Sequence, residues 1–332
     1  MSVPLAEGAD ERGGMPDLAI RTQALRKTYR TRRGKRVVAV QGLDLEVPIG
    51  GVHGFLGPNG SGKTTSIRML LGLVRADAGT MTVFDQVVPD RLPDVVGRVG
   101  AIVESPKFFP AFSGRKNLEL LADAIGAPRK RVGEVLAETS LNERGKDKFK
   151  SYSLGMKQRL AIAATLLKEP ELLIFDEPTN GLDPAGIREI RETMRGLGHQ
   201  GRTVLVSSHI LAEVEQVADT VSIIGHGRLL ASGTVAEVIG GGGKPTVKVA
   251  LDNAGGDHAG SQERASAILT AAGLSVRADG KYLFVDGAEH SAEVTRRLAQ
   301  QELYVSELIP VRADLESVFL ELTADEGLGG HQ

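Results

Sequence analysis

Two short stretches hold most of the residues that could do chemistry. The first is GPNGSGKT at 57–64. Gly57, Gly60 and Gly62 let the backbone curl so that successive amides point at one anion, and Lys63 adds a cation on a long stem. Thr64 brings a hydroxyl of the kind that ligates Mg²⁺, and Pro58, Asn59, Ser61 and the following Thr65 complete a loop suited to a polyphosphate. The second stretch is ELLIFDEP at 171–178, an apolar run that delivers two carboxylates in succession, Asp176 and Glu177. One carboxylate suits a magnesium ion and the next a general base for water, a pair that describes hydrolysis and not transfer to a bound acceptor. The guanine-reading pattern Asn-Lys-x-Asp is absent. A third carboxylate, Glu104, ends the apolar run GAIV before the break at Ser105-Pro106.

These side chains can act together only if rigid elements aim them. GVHGFL (51–56) reads as a strand into the glycine loop, and TSIRMLLGL (65–73) as a helix leaving it, which sets the loop amides at a helix N-terminus. ELLIF (171–175), TVLVSS (203–208) and TVSII (220–224) are further short β-rich runs separated by helix-like segments, the pattern of βαβ units and a parallel sheet. Between Leu18 and Leu56, β-branched runs suggest strands joined by turns, with a basic loop from Arg30 to Arg36. RKNLELLADAI and KRVGEVLAET, near 115–139, carry apolar residues at helical spacing. The run Gly240–Gly243 marks a linker over 240–245 and a domain boundary, so that residues 18–239 form one domain and 246–322 a smaller α+β domain. The latter reads β-α-β-β-α-β, with an Asp279-Gly280 hairpin turn, the order of a ferredoxin-like fold. Its closing DLESVFLELT is a short amphipathic helix able to dock on either domain. Residues 1–17, acidic and glycine-rich, read as a disordered tail, and 323–332 as a second tail.

Bulk properties narrow the function classes. The chain has 332 residues, 41% of them apolar, enough for a large core and a small one. With 40 Lys+Arg against 42 Asp+Glu it carries no field to attract nucleic acid, which is not an expected partner. There is no cysteine, so disulfides and thiolate chemistry are excluded. Its apolar runs fall far short of the roughly 20 residues that span a bilayer, so a membrane role must come through a partner.

Taken in order, the motifs resemble those of ATP-binding cassette (ABC) ATPases. YSLGMKQRL (152–160) resembles the family's signature segment, NGLD (180–183) its D-loop and SSH (207–209) its switch histidine, and the resemblance covers about residues 18–239. Two departures stand out: Leu154 where the signature usually has glycine, and Glu104 where a glutamine usually ends the strand after the glycine loop. Together with the linker, the small C-terminal domain and LESVFLELT, they resemble cassettes of bacterial exporters of the bacitracin- and daunorubicin-resistance kind.

The resemblance implies an α/β P-loop NTPase fold with an antiparallel β subdomain and a helical subdomain at about 106–160. It also implies a head-to-tail homodimer holding two ATP molecules, each between residues 57–64 of one subunit and Ser153, Gly155 and Met156 of the other. Tyr29 would stack on adenine, Thr64, Asp176 and Glu104 would address Mg²⁺, and Lys63 the phosphates. Glu177 would be the base, His209 a γ-phosphate contact and Asp183 a link across the dimer. Several of these have plain structural readings too: Ser153 as a helix cap, Tyr29 as an edge-strand tyrosine, His209 as a surface or core histidine. The implied role is to energise a separately encoded permease, exporting a drug, antibiotic or lipid, from the cytoplasmic face of the membrane. Segment 105–125, with Phe108, Phe109 and Phe112, lies where the family receives the permease. The rival reading is a soluble ABC-type ATPase acting on nucleic acid or ribosomes, which usually carries two cassettes or long coiled coils and a basic surface, none of them visible here.

Overall fold

A computed structural model of the chain describes residues 17–31, 34–104, 107–240, 246–252, 258–288, 290–311 and 314–324. The glycine linker beyond Gly240, the break at Ser105-Pro106, and nearly all of both expected tails lie outside these residues. The chain divides into two compact units, one formed by the residues up to Ile210 with Val217–Leu230, the other by Leu211–Gln216 with the residues from Ala231 onward.

The first unit is built on a six-stranded sheet ordered Arg228–Thr234, Thr220–Gly225, Gly51–Leu56, Thr203–Ser208, Leu172–Asp176, Val99–Ile102. The strands from Thr220–Gly225 to Val99–Ile102 pair in parallel. Parallel strands covered on both faces must be apolar almost throughout, which is why these segments read as continuous hydrophobic runs and not as alternating ones. Every residue of Thr203–Ser208 is buried, as are Leu172 to Phe175. The catalytic candidates sit where these strands end.

An antiparallel sheet flanks this layer, with Leu18–Arg30 between Arg36–Leu43 and Ala78–Val83, the short Gln86–Val87 beyond, and Glu46–Pro48 also on the long strand. Its core residues Ile20, Leu25, Leu45 and Val47 join Phe55, Ile67 and Ile174 in one cluster, so the two sheets share an interior. The helices Gly114–Ile125, Lys130–Glu138 and Leu154–Leu166 form the helical part. The Ser113 side chain caps the first of them by accepting Lys116 N–H, and the buried Asn117 amide ties down the preceding turn by bonding both Phe109 N–H and Phe109 C=O.

The second unit holds a four-stranded sheet ordered Ser275–Asp279, Tyr282–Asp286, Thr246–Leu251, Val305–Val311, with antiparallel pairs throughout. Along the chain, strands and the helices His258–Ala271 and Ser291–Ala299 follow one another as β-α-β-β-α-β, the split βαβ connectivity of a ferredoxin-like fold. Val247, Val249, Leu283 and Val285 pack with Ala265, Leu269, Val294 and Leu298. The unit also takes in Leu211–Glu215 and Val235–Gly240, which the sequence reading assigns to the larger domain. The physical reason is the closing helix Leu315–Ala324, which packs on both, with Leu315 N–H donating to the Glu215 carboxylate at 3.0 Å.

Candidate nucleotide-binding site

The loop 57–62 leaves the buried strand Gly51–Leu56 and runs into the helix Lys63–Leu70. Gly57 and Gly62 are required by space as well as by conformation. A Cβ on Gly57 would stand 2.3 Å from the Ile224 carbonyl oxygen, and one on Gly62, whose φ is +107°, would stand 2.4 Å from the Ala39 carbonyl oxygen. The loop is thus pressed against its neighbours, and Gly227 N–H donates to Ser61 C=O at 3.0 Å. Ser61 Oγ is buried and has no hydrogen-bond partner. An orphaned polar atom in a loop of inward-curled backbone is what a phosphate site requires, because the ligand supplies the missing partner.

Lys63 is only 5% exposed. Its Nζ donates to Gly57 C=O at 2.7 Å and Pro58 C=O at 3.2 Å, and lies 3.3 Å from Glu177 Oε1. The ammonium is therefore held over the loop, where an anion can take the place of the carbonyls. Thr64 Oγ1 donates to Asp176 Oδ2 at 2.7 Å, joining the start of the helix to the end of the strand Leu172–Asp176. A hydroxyl and a carboxylate at this separation form a hard-oxygen donor pair that fits Mg²⁺ and would hold it between strand and helix.

Glu177 follows with φ +49°, a left-handed backbone that costs a non-glycine residue of order 1–3 kcal/mol. The turn is held by Glu177 N–H, which bonds both the Ser207 carbonyl at 3.2 Å and the Ser207 hydroxyl at 3.0 Å. Its carboxylate then meets Lys63 through one oxygen and His209 Nδ1, at 2.7 Å, through the other. Lys63, Thr64, Asp176, Glu177 and His209, drawn from the start of one helix and the ends of two strands, form one continuous polar cluster. It offers a cation for phosphate, oxygen ligands for a metal, and a carboxylate backed by imidazole for a water.

The remaining expected residues are placed as follows. Ser153 is exposed and caps the helix Leu154–Leu166, accepting Met156 N–H at 3.3 Å, with Gly155 and Met156 in that helix's first turn. Asp183 is likewise exposed and caps Pro184–His199 through Gly186 N–H at 3.0 Å. Neither touches the cluster in the single chain. Tyr29 lies next to the last residue of the long antiparallel strand, opposite Val37, is 38% exposed, and has Lys27 Nζ 5.6 Å from its ring centroid. Its neighbour strand Arg36–Leu43 carries Ala39, the residue pressed on Gly62. Glu104 is 79% exposed and pairs with Arg68 at 3.1 Å, without a hydrogen bond to the cluster. It nonetheless lines a cleft of about 270 Å³ with Asp176, Glu177, Leu154, Gln158 and Asn180. Two participants escape sequence reasoning. Arg68 has no motif, and Ser207 lies inside SSH, where only strand register reveals that it stands directly beside Asp176.

Comparisons with known proteins identify the family. The family described as "ABC transporter" matches residues 40–180. The chain is 35% identical over 314 residues to the bacitracin transport ATP-binding protein BcrA of Enterococcus faecalis, covering 94% of this chain and 98% of that one. It is 34% identical over 317 residues to the daunorubicin/doxorubicin resistance ATP-binding protein DrrA of Streptomyces peucetius, covering 93% of each. Among solved structures, cbiO1 of Clostridium perfringens, part of the ABC transporter complex cbiONQ, superposes with a TM-score of 0.61 at 27% identity over 68% of this chain and 91% of that one. A dimer of the ATP-binding cassette MJ0796 bound to ADP and Pi gives 0.57 at 23% identity, over 65% and 98%, and so shares the fold. A glycine loop at a helix N-terminus, a strand ending in two carboxylates and a histidine bonded to one of them lie on this scaffold, and relatives match along nearly their whole length: the chain belongs to the ABC transporter family, as an ATP-hydrolysing cassette of the bacitracin- and daunorubicin-resistance type.

Proposed function

We propose that this cassette energises a separately encoded membrane permease, and that the pair exports a drug, antibiotic or lipid. No helix among the described residues is long and apolar enough to cross a membrane, so the chain would work at the cytoplasmic face through that partner. A groove of about 390 Å³ beside the helical part, lined by Ile102, Val103, Phe108, Leu121, Ala164 and Lys168, supports a docking role for this face. Phe109 and Phe112 stay exposed next to it with ring centroids 5.3 Å apart.

ATP would be bound by the amides of loop 57–62, by Lys63 and, at adenine, by Tyr29. Thr64 and Asp176 would hold Mg²⁺, which would offset the charge of the phosphates. Glu177 would take the proton of the attacking water, with His209 orienting it and contacting the γ-phosphate. Ser153, Gly155, Met156 and Asp183 stand exposed at two helix N-termini, so a second copy packed head to tail could bring them to the nucleotide of its partner. Closure on ATP and reopening after hydrolysis would switch the permease between access states.

The observation that carries this reading is the contact of Glu177 with both Lys63 and His209. Glu177→Gln is expected to retain ATP binding, slow hydrolysis by about 10² to 10⁴, the usual range for a general base, and accumulate an ATP-bound dimer in gel filtration. Lys63→Ala is expected to lose useful ATP binding, about 10- to 150-fold for one charge-assisted contact. Wild-type hydrolysis and no dimer in the first variant, or unchanged nucleotide affinity in the second, would overturn the assignment.

A further inference from the structure

The switch segment carries a hydroxyl that is spent on the carboxylate pair and not on its own strand. Ser207 is 0% exposed and lies in register with Asp176 across two parallel strands. A serine hydroxyl has one proton to give, and Ser207 Oγ gives it to Asp176 Oδ1. The same oxygen accepts Glu177 N–H at 3.0 Å. The other carboxylate oxygen, Oδ2, is thereby left facing Thr64, whose hydroxyl stands 2.7 Å away.

We propose that Ser207 is a positioning residue for hydrolysis: it fixes the orientation of the Asp176 carboxylate so that one oxygen faces the metal and, through the same atom, locks the left-handed turn that aims Glu177. The inference deepens the proposed function and rests on the assignment of Thr64 and Asp176 to Mg²⁺. The two oxygens of a carboxylate are equivalent, but as the group turns about its Cβ–Cγ bond it can aim one of them at a cation or neither. With Oδ1 tethered inside the sheet, only Oδ2 is available, and its direction is set by two strands that cannot shift independently. Without the tether, Oδ1 becomes a buried acceptor without a donor, and rotation to recover a partner takes Oδ2 away from Thr64. Glu177 keeps its weaker bond to the Ser207 carbonyl, so the turn loosens without being lost. Two adjacent residues with different proposed roles, a metal ligand and a base, are thus referenced to one atom two positions before His209.

The test measures binding of a fluorescent ATP analogue against Mg²⁺ concentration, with turnover in parallel. Ser207→Ala is expected to raise the Mg²⁺ concentration for half-maximal tight binding by about 5- to 20-fold and lower kcat by about 10- to 100-fold. Affinity for the analogue in excess EDTA should stay within about twofold, since the phosphate loop is untouched. Ser207→Thr, which keeps the hydroxyl, should return the Mg²⁺ requirement to within about threefold of wild type. If Ser207→Ala binds with wild-type Mg²⁺ dependence, or weakens metal-free binding as much as metal-bound binding, the positioning role is wrong. The same holds if a folded Ser207→Thr, checked by circular dichroism and thermal melting, behaves as the alanine variant does. Asp176→Asn separates the two levels. Loss of the Mg²⁺ effect there with none in Ser207→Ala removes only the role of Ser207, whereas no effect in Asp176→Asn removes the metal assignment on which it stands.

Discussion

Glu104 poses the residue-scale problem most sharply, because it brings a third carboxylate to a cleft that already contains Asp176 and Glu177. Two unit charges about 6 Å apart at an effective dielectric of about 20 repel by roughly 3 kcal/mol, an upper bound for a group that water reaches so freely. Arg68, on the helix after the glycine loop, pairs with this carboxylate at 3.1 Å. Our proposal is that Mg²⁺ competes with Arg68 for this carboxylate, making residue 104 a metal-coupled switch. Glu104→Gln should then bind ATP in EDTA about 3- to 10-fold more tightly than wild type, while losing part of the Mg²⁺-dependent gain in affinity. Isothermal titration with and without Mg²⁺ decides it. Equal affinities for the two proteins under both conditions would mean that the carboxylate stays with Arg68 and never turns inward.

Among the elements, the strand Gly51–Leu56 was legible from its β-rich run and from the glycine loop it must feed, and the same holds for Leu172–Asp176 and its two carboxylates. Each of these signals is contained in a few consecutive residues. What could not be read is what the sheet order creates. His53 looks out of place in a buried strand until Thr220–Gly225 is paired beside it, when Thr220 Oγ1 meets Nδ1 at 2.8 Å and Ser222 Oγ meets Nε2 at 3.0 Å. Those partners lie some 170 residues further along the chain, and Ser207, 31 residues after Asp176, stands beside it only because their strands are neighbours. Burial lowers the His53 pKa to about 3 from the ordinary 6.5. The folded state therefore refuses a proton that the unfolded chain accepts, and stability should fall as pH drops below about 6.5, by up to about 1.4 kcal/mol per unit, until about pH 3. Above about pH 7 the group contributes no pH dependence. Urea unfolding of wild type and His53→Gln at pH 7, 6, 5 and 4.5 should show a shallower acid loss in the variant, by close to one proton. Parallel slopes would show that the ring is charged or reached by water in the folded protein.

At the scale of the whole molecule, the sequence suggested cutting at the polyglycine run, and the second unit turns out to begin earlier. Leu211, Val214 and Val238 are buried, and Leu315 and Val318 of the closing helix are buried in the same unit. A chain ending at Gly242 therefore keeps both sheets of the first unit with their shared cluster, but uncovers the helices Leu211–Glu215 and Val235–Gly240 on which Leu315–Ala324 packs. We expect this truncated cassette to fold and to bind ATP within about threefold of the full chain, since the loop, Lys63, Asp176 and Glu177 depend on the first unit alone. The loss should appear elsewhere. Each uncovered aliphatic side chain forfeits part of the ~1.5–3 kcal/mol that full burial contributes, which lowers the melting temperature by about 2–8 °C at this chain length. Leu211 follows His209 by only two positions, so loosening its helix should slow hydrolysis about 3- to 10-fold without changing nucleotide affinity. Differential scanning calorimetry together with ATPase rates at saturating ATP tests both halves of the expectation. A single cooperative transition lowered by 20 °C or more would show that the two units share one core, and an unchanged hydrolysis rate would show that His209 is held by its strand alone.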